Sequence, residues 1–476
     1  MQPKSQAPPP NPFTGRWQSS GGDLATFTIS GADSQGKAIQ VTRTLDATRH
    51  DSVQSFHHSM AEAFGLMPAR DRCPASLPPS SSPEPSCLID RNLDPRILYG
   101  YGDPCVLPPH RDCGVDQYHV IVTSNDAPDK FPILSSPDLR TWELAGFAFP
   151  QGSKPVWAAE GANQSDYWAP EIHRVGGDYL LCFAARALKG GMAIGLGRAA
   201  HPRGPFEVPD DPLISDNVID PHIFVDRDGT TYLFWKQDNN DAWPLRLVRA
   251  IAAEPRMLPR LFAAEEDQRT LYLALALLPW IEQQPSMSRF FALQPVIELV
   301  TGRYAEIRTA LVAIAADLEP AAAEEVQEIT GLMSTPVFVQ QLDTERLTLV
   351  GDRRVALRND QDWEAHLIEG AWVRCHSGRY YLFYSGNDFS TSEYGIGVAV
   401  ADSPLGPFRK APAPFLLSTE RWIGPGHPSV AVGHDGEPVL FFHAYKPGHT
   451  GYKAFRVLLS LPLVFTPDGV ESRRAT

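Results

Sequence analysis

The chain has 476 residues, 43% of them hydrophobic, 21% charged and 10% aromatic, with a formal charge of −14 at pH 7. Those values fit a soluble globular protein with room for a large core. They argue against nucleic acid as a partner, which needs a basic face for phosphates, and leave a neutral ligand such as a sugar open.

No run of about 18 apolar residues occurs, so neither a transmembrane helix nor a membrane partner is expected. The start, "MQPKSQAPPPNPFTGRW", lacks the apolar core of a secretory leader. A cytoplasmic protein is the expectation, with secretion left open. Six cysteines in so long a chain make no disulfide framework. Cys73 and Cys87 bracket "PASLPPSSSPEPS" and would pair only in an oxidising compartment; reduced thiols are expected.

Residues 1–90 carry little pattern. Pro-rich at the start and Ser/Pro-rich near 74–86, they read as a loose arm with one short strand pair around "LATFTIS" and "KAIQVTR". An internal repeat then begins. Its copies are "DPCVLPPHRDCGVDQYHVIVTS", "PEIHRVGGDYLLCFAA", "DPHIFVDRDGTTYLFWK", "EGAWVRCHSGRYYLFYSG" and "GHPSVAVGHDGEPVLFFHA". Each opens on a polar residue and an alternating strand, turns at Gly or Asp, and continues into a stronger strand rich in Tyr, Leu and Phe. Most are followed by a third strand and a tail such as "YGIGVAVADSPLGPFRK".

Repeated units of about four strands predict an all-β, five-bladed β-propeller over residues 91–476, because one such sheet cannot bury both faces alone. A β-sandwich with chance hairpins is the competing fold, and copies in matching phase argue against it. Between about 247 and 331 the chain turns Ala/Leu/Glu-rich, with apolar residues three and four apart, as in "YAEIRTALVAIAADLE". This predicts an all-helical insertion in the third blade, between "TYLFWK" and "TPVFVQQL". The end of a second strand lies on the same face as the start of the first. The insertion is therefore expected beside the funnel mouth, as a wall or cover.

In a propeller the first strand of each blade lines the central channel. The repeats then gather Asp103, Glu171, Asp220, Glu369 and His427 in one ring. Carboxylates crowded in a narrow pit raise one another's pKa, an arrangement structural β proteins avoid. Glycoside cleavage wants it: one carboxylic acid protonates the leaving oxygen and an ionised carboxylate activates water or attacks the sugar.

The residues "GYGDPCVL", "WAPEIH", "VIDPHIFVDRDGTTYLFW", "LIEGAWV" and "GPGHPSV", in this order at the blade starts, resemble glycoside hydrolase family 43. The resemblance spans about 98–470, apart from the insertion. It implies a five-bladed propeller acting with inversion on terminal α-L-arabinofuranosyl or β-D-xylosyl units of oligosaccharides or polysaccharides. By position it implies Asp103 as general base, Asp220 as the residue tuning and orienting the acid, and Glu369 as general acid with its pKa lifted by its neighbours. Cys105 stands where the family more often has Ser. A second "DP" at Asp94 has no strand pair directly behind it, so Asp103 is preferred.

Trp168 is a candidate for stacking on a pentose or for core packing. Glu171 either contacts substrate or braces the funnel. His427 matches a family histidine that in some members holds Ca²⁺ or a water; no cofactor is required. Arg456 resembles an arginine that binds a substrate hydroxyl. Asn387-Asp388 and Asp238-Asn239-Asn240 read as loop formers near the same mouth. An endo-arabinanase and a non-catalytic sugar-binding propeller are the alternatives. The retaining fructosidase propellers are disfavoured, since no "WMNDPNG"-like opening occurs. Arabinose or xylose, oligomer or polymer, and the oligomeric state stay open.

Overall fold

A computed structural model describes residues 11–473, except 20–23, 34, 47–55, 57–58, 67–83, 125–128, 151–152, 160–165, 285 and 468. The protein is mostly β and contains several antiparallel sheets. It separates into two compact units, one within residues 1–74 and 239–334, the other within 75–161, 165–238 and 335–476. No helix among the described residues is long and apolar enough to cross a membrane.

In the larger unit each sequence repeat forms its own antiparallel sheet, with strands paired in chain order. The first strands are Gly102–Leu107, Tyr167–Val175, Val218–Val225, Ile368–His376 and Ile423–Val432. Each hairpins back into an apolar second strand: Tyr118–Thr123, Asp178–Arg186, Thr231–Gln237, Arg379–Gly386 and Pro438–Tyr445. The fourth hairpin turns at Ser377 (φ 50°) and Gly378 (φ 82°), a two-residue turn whose left-handed residues match strand twist.

These second strands are continuous apolar runs because both faces are covered. All six residues of "YHVIVT" are buried. The first strands touch one another in succession, and that of the last repeat touches that of the first. A cavity of about 350 Å³ is lined from every one of them, through Val106, His173, Phe224, Trp372 and Val430 among others. Ser86–Ile89, ahead of the first repeat, pairs with Val457–Thr466 of the last sheet.

The smaller unit differs from the loose arm read in the sequence. Thr14–Ser19, Leu24–Ala32 and Ala38–Asp46 form an antiparallel three-stranded sheet. Its buried face carries Phe27, Ile29, Val41 and Leu45. That face needs a cover, and Phe27 meets Trp280 of the helix Glu265–Ile281 edge-on at 5.0 Å. The sequence missed this because sheet and helices are more than two hundred residues apart. The helices run from Ala242 to Leu332, starting slightly ahead of the position expected from the alternation of apolar residues. Cys73, and with it the pairing considered with Cys87, lies outside the described residues.

Candidate active site

All first strands share one irregularity. Pairing with the second strand slips at Gly102/Cys105, Cys182/Ala184, Ile219/His222, Glu369/Trp372 and Gly426/Ser429. At the slip sit Asp103 (φ 50°), Ala169 (46°), Asp220 (55°), Gly370 (58°) and His427 (51°), all left-handed. This is a recurrent β-bulge, which bends the strand and re-aims a side chain. In four repeats the next residue is proline (Pro104, Pro170, Pro221, Pro428), which brings no N–H to be orphaned where the ladder breaks. Non-glycine residues in this region each cost about 1–3 kcal/mol, a strain typical of functional sites. The ring is therefore Asp103, Ala169, Asp220, Gly370 and His427. Glu369 lies one residue before its bulge and Glu171 two residues after, so Glu171 faces a different level of the channel.

Asp103 is held as an anion. Its Oδ1 accepts a hydrogen bond from Arg456 Nη1 at 2.9 Å and lies 3.4 Å from His427 Nδ1. The Thr123 hydroxyl also bonds the carboxylate. Burial alone would raise the Asp103 pKa, but Arg456, His427 and His443 outweigh it and hold it well below the usual range. His443 lies near the same oxygen, yet its Nδ1 accepts the Asp103 backbone N–H at 3.1 Å and so donates nothing there. Gly102 makes room for Arg456, since a Cβ would fall 1.8 Å from Cζ.

Asp220 is only 7% exposed, and its Oδ2 accepts the Gly370 N–H at 2.9 Å, next to Glu369. Burial, with Glu369 and Asp103 adding, pushes its carboxyl up to about 7 against the pull of His427 and Lys236. Glu369 receives the Lys236 ammonium on Oε2 at 2.9 Å and the Tyr394 hydroxyl on Oε1 at 2.8 Å. Gly426 makes space for Tyr394, whose Cε1 would meet a Cβ at 1.9 Å.

His427 donates its backbone N–H to Ser385 Oγ at 2.7 Å. Burial would lower its imidazole, but Asp103, Asp220, Glu369 and Glu171 outweigh this and hold it above its ordinary value. Glu171 joins two histidines: His173 Nε2 at 2.6 Å and His222 Nδ1 at 2.9 Å, both on Oε2. His222 Nε2 accepts the Val373 N–H at 2.9 Å, so its Nδ1 carries the proton and donates to Glu171. Trp168 is half-buried against Ala184, Met192 and Ile219, and its indole N–H has no protein acceptor.

Calcium asks for six to eight oxygen ligands. Near His427, Asp103 Oδ1 is engaged by Arg456 and Asp220 Oδ2 by the Gly370 N–H. Among the described residues the grouping with metal-ligand spacing is Glu171, His173 and Cys182, which offers one oxygen, one nitrogen and one sulfur. A calcium ion beside His427 would therefore draw most of its ligands from water.

The family profile described as "Glycosyl hydrolases family 43" matches residues 104–255 and 330–470, more than half of the chain. The chain belongs to family 43. The unmatched interval, 256–329, falls within the helical segment. A curated protein of Humicola insolens named "Xylosidase/arabinosidase 43A" is 27% identical over 241 residues. That match covers 51% of this chain and 56% of the relative, so it spans little more than half of the relative's length. The crystal structure of a thermostable family-43 glycoside hydrolase superposes with a TM-score of 0.54 at 25% identity, covering 80% of this chain and 94% of the other. An endo-1,4-beta-xylanase of Bacteroides thetaiotaomicron shares the fold, with a TM-score of 0.51 at 18% identity, covering 79% and 96%.

On this family 43 scaffold Asp103, Asp220, Glu369, His427 and Arg456 converge, whereas Asp94 pairs with Arg96 in an exposed turn. Asp388 accepts the Ser390 N–H and hydroxyl at 2.8 Å each, a loop-forming role. Asn217 bonds the carbonyl of Asp238, and Asn239 donates to Leu332 O at 3.0 Å. Sequence reasoning missed Lys236, Tyr394, Thr123, Ser385 and His443. Four of these stand in one column: Thr123, Ala184, Lys236, Ser385 and His443 occupy the same place in successive second strands, opposite the bulge. Stacking the repeats over "YHVIVT", "LLCFA", "YLFWK", "YLFYS" and "VLFFH" exposes that column.

Proposed function

We propose that the protein is an inverting glycoside hydrolase, a five-bladed propeller with a helical insertion in the third blade, that removes terminal α-L-arabinofuranosyl or β-D-xylosyl units. The observation that carries this reading is Asp103, a carboxylate kept ionised by Arg456 at 2.9 Å near the buried acids Asp220 and Glu369. Its relative's name, "Xylosidase/arabinosidase 43A", supports the pentose class.

Asp103 takes a proton from water as that water attacks the anomeric carbon. The glycosidic C–O bond breaks on the opposite side, and Glu369 delivers its proton to the leaving oxygen. Asp220 steadies the backbone beside Glu369 through the Gly370 N–H. Trp168, whose indole is half-buried, and Arg456 are the sugar-contact candidates; Glu171, tied to two histidines, braces the channel.

Glu369→Gln and Asp103→Asn test the assignment on an unactivated arabino- or xylo-oligosaccharide. Each is expected to lower turnover roughly 10²–10⁴-fold while the melting profile persists. Near-normal turnover by Glu369→Gln would remove it as the acid. Following the released sugar by NMR reads the anomeric outcome, and a retained configuration would refute inversion.

A further inference from the structure

Lys236 lies in the second strand of the third repeat, is 1% exposed, and places its ammonium 2.9 Å from Glu369 Oε2. Its column-mates show what the position does. Thr123 accepts the Ala169 N–H at 2.8 Å, Ser385 that of His427 at 2.7 Å, and His443 that of Asp103 at 3.1 Å. Each reaches from its own sheet to the bulge of the next. Lys236 also reaches the next sheet, but it meets a carboxylate with a full charge. The Gly370 N–H, which a hydroxyl there would serve, is taken by Asp220.

We propose that Lys236 is a positioning residue that steadies Glu369 and stabilises the carboxylate left after proton transfer. This rests on the reading of Glu369 as proton donor. Once Glu369 has protonated the leaving oxygen it is an anion, and the ammonium at 2.9 Å stabilises that state. Stabilising that product state helps expel a poorly activated sugar oxygen.

The groups acting on this pair lie on several elements. Glu369 faces Lys236 and Asp220 from the third repeat, Tyr394 from its own, and His427 from the last. Lys236 faces Glu369, Asp238, Asp220 and His366. Burial would discharge the lysine, but the three carboxylates outweigh it and hold its pKa above the ordinary value. The lysine stays charged throughout the working range. Burial and Glu369 push the Tyr394 phenol well above its usual pKa, so it remains a donor.

The test compares kcat/KM against pH for the unaltered protein, Lys236→Met and Lys236→Gln. Substrates are an unactivated oligosaccharide and a p-nitrophenyl glycoside of the same sugar. Losing an opposite charge at this range is expected to move the basic limb upward by about 1–3 pH units. The plateau on the oligosaccharide should fall about tenfold, and that on the aryl glycoside less. The upward shift should recur in an Asp220→Asn background, which separates Glu369 from its neighbour.

A lysine that only supports the fold would lower stability without moving the limb. An unmoved limb in a folded variant overturns the proposal. If neither variant folds, the lysine holds the sheet together and the proposal falls likewise. The underlying reading fails separately: a basic limb that persists in Glu369→Gln on the aryl glycoside shows that Glu369 is not the donor.

Discussion

Replacing Asp220 by Asn should stabilise the protein at alkaline pH while damaging activity. Asn keeps a side-chain oxygen for the Gly370 N–H, so the change removes charge more than contact. Burial pushes the Asp220 carboxyl from 3.8 to about 7, assisted by Glu369 and Asp103. The sign follows from linkage. Between these values the unfolded chain has lost the proton and the native state keeps it. Native stability therefore falls as pH rises through this window, and the full cost of the buried charge applies above about 7. A shift of about three units corresponds to roughly 4 kcal/mol as a ceiling. His427 and Lys236 each lose a favourable neighbour in the variant, so about 1–3 kcal/mol is the expected net gain at pH 8. At about 2 °C per kcal/mol for a large domain, calorimetry should show a rise of several degrees at pH 8 and little at pH 4. Turnover should fall at least about tenfold, with a displaced pH profile. No gain at pH 8, or an equal gain at both pH values, would refute the reasoning.

Arg456→Met removes the guanidinium 2.9 Å from Asp103, so the acidic limb of kcat/KM should climb by about 1–3 units; an unmoved limb would show that Arg456 does not keep the base ionised. The depressed Asp103 stabilises the native state above its unfolded pKa, and this is lost as pH falls, so the variant should be less stable at pH 7. Gly426→Ala places a Cβ 1.9 Å from the Tyr394 ring and should displace its hydroxyl from Glu369, lowering oligosaccharide turnover about tenfold; Tyr394→Phe should reproduce the loss, and full activity in either would dismiss the contact. Excising 239–334 alone should yield insoluble protein, because Phe27 and Ile29 lose their cover, whereas excising 1–74 with it should restore solubility. An unchanged oligosaccharide KM in that double truncation would rule out the insertion as a wall of the site.

The repeats were legible because each hairpin carries its own evidence: alternation, an apolar second strand and a turn such as Ser377-Gly378, all within a short window. The acids were legible because each opens a strand with a charge. Two things were not. The contact between Phe27 and Trp280 joins segments far apart in the chain, and neither pattern announces a partner. The five-residue column was hidden for another reason. Thr123, Lys236, Ser385 and His443 each look incidental in one strand, and only alignment of the strands shows a polar position in an apolar run. The offset of Glu369 from its bulge was also invisible, because "EGA" and "DPH" look alike without register.

That column explains how one repeated backbone yields different acids. All five bulges aim a residue at the centre, so geometry alone would give equivalent sites. The difference comes from what lies beside each one. Asp103 sits against Arg456 and against His427, whose imidazole is held above its ordinary pKa, and is fixed as an anion. Asp220 has a single backbone N–H on Oδ2, and burial keeps its proton on near neutrality. Glu369 is offered an ammonium from the preceding repeat where the other repeats offer a hydroxyl, a methyl or an imidazole. An inverting reaction needs one group without its proton and one that can release a proton, and groups in identical surroundings could not be both. On the proposed reading the division of labour resides in the second strands and in Arg456 at least as much as in the acids themselves.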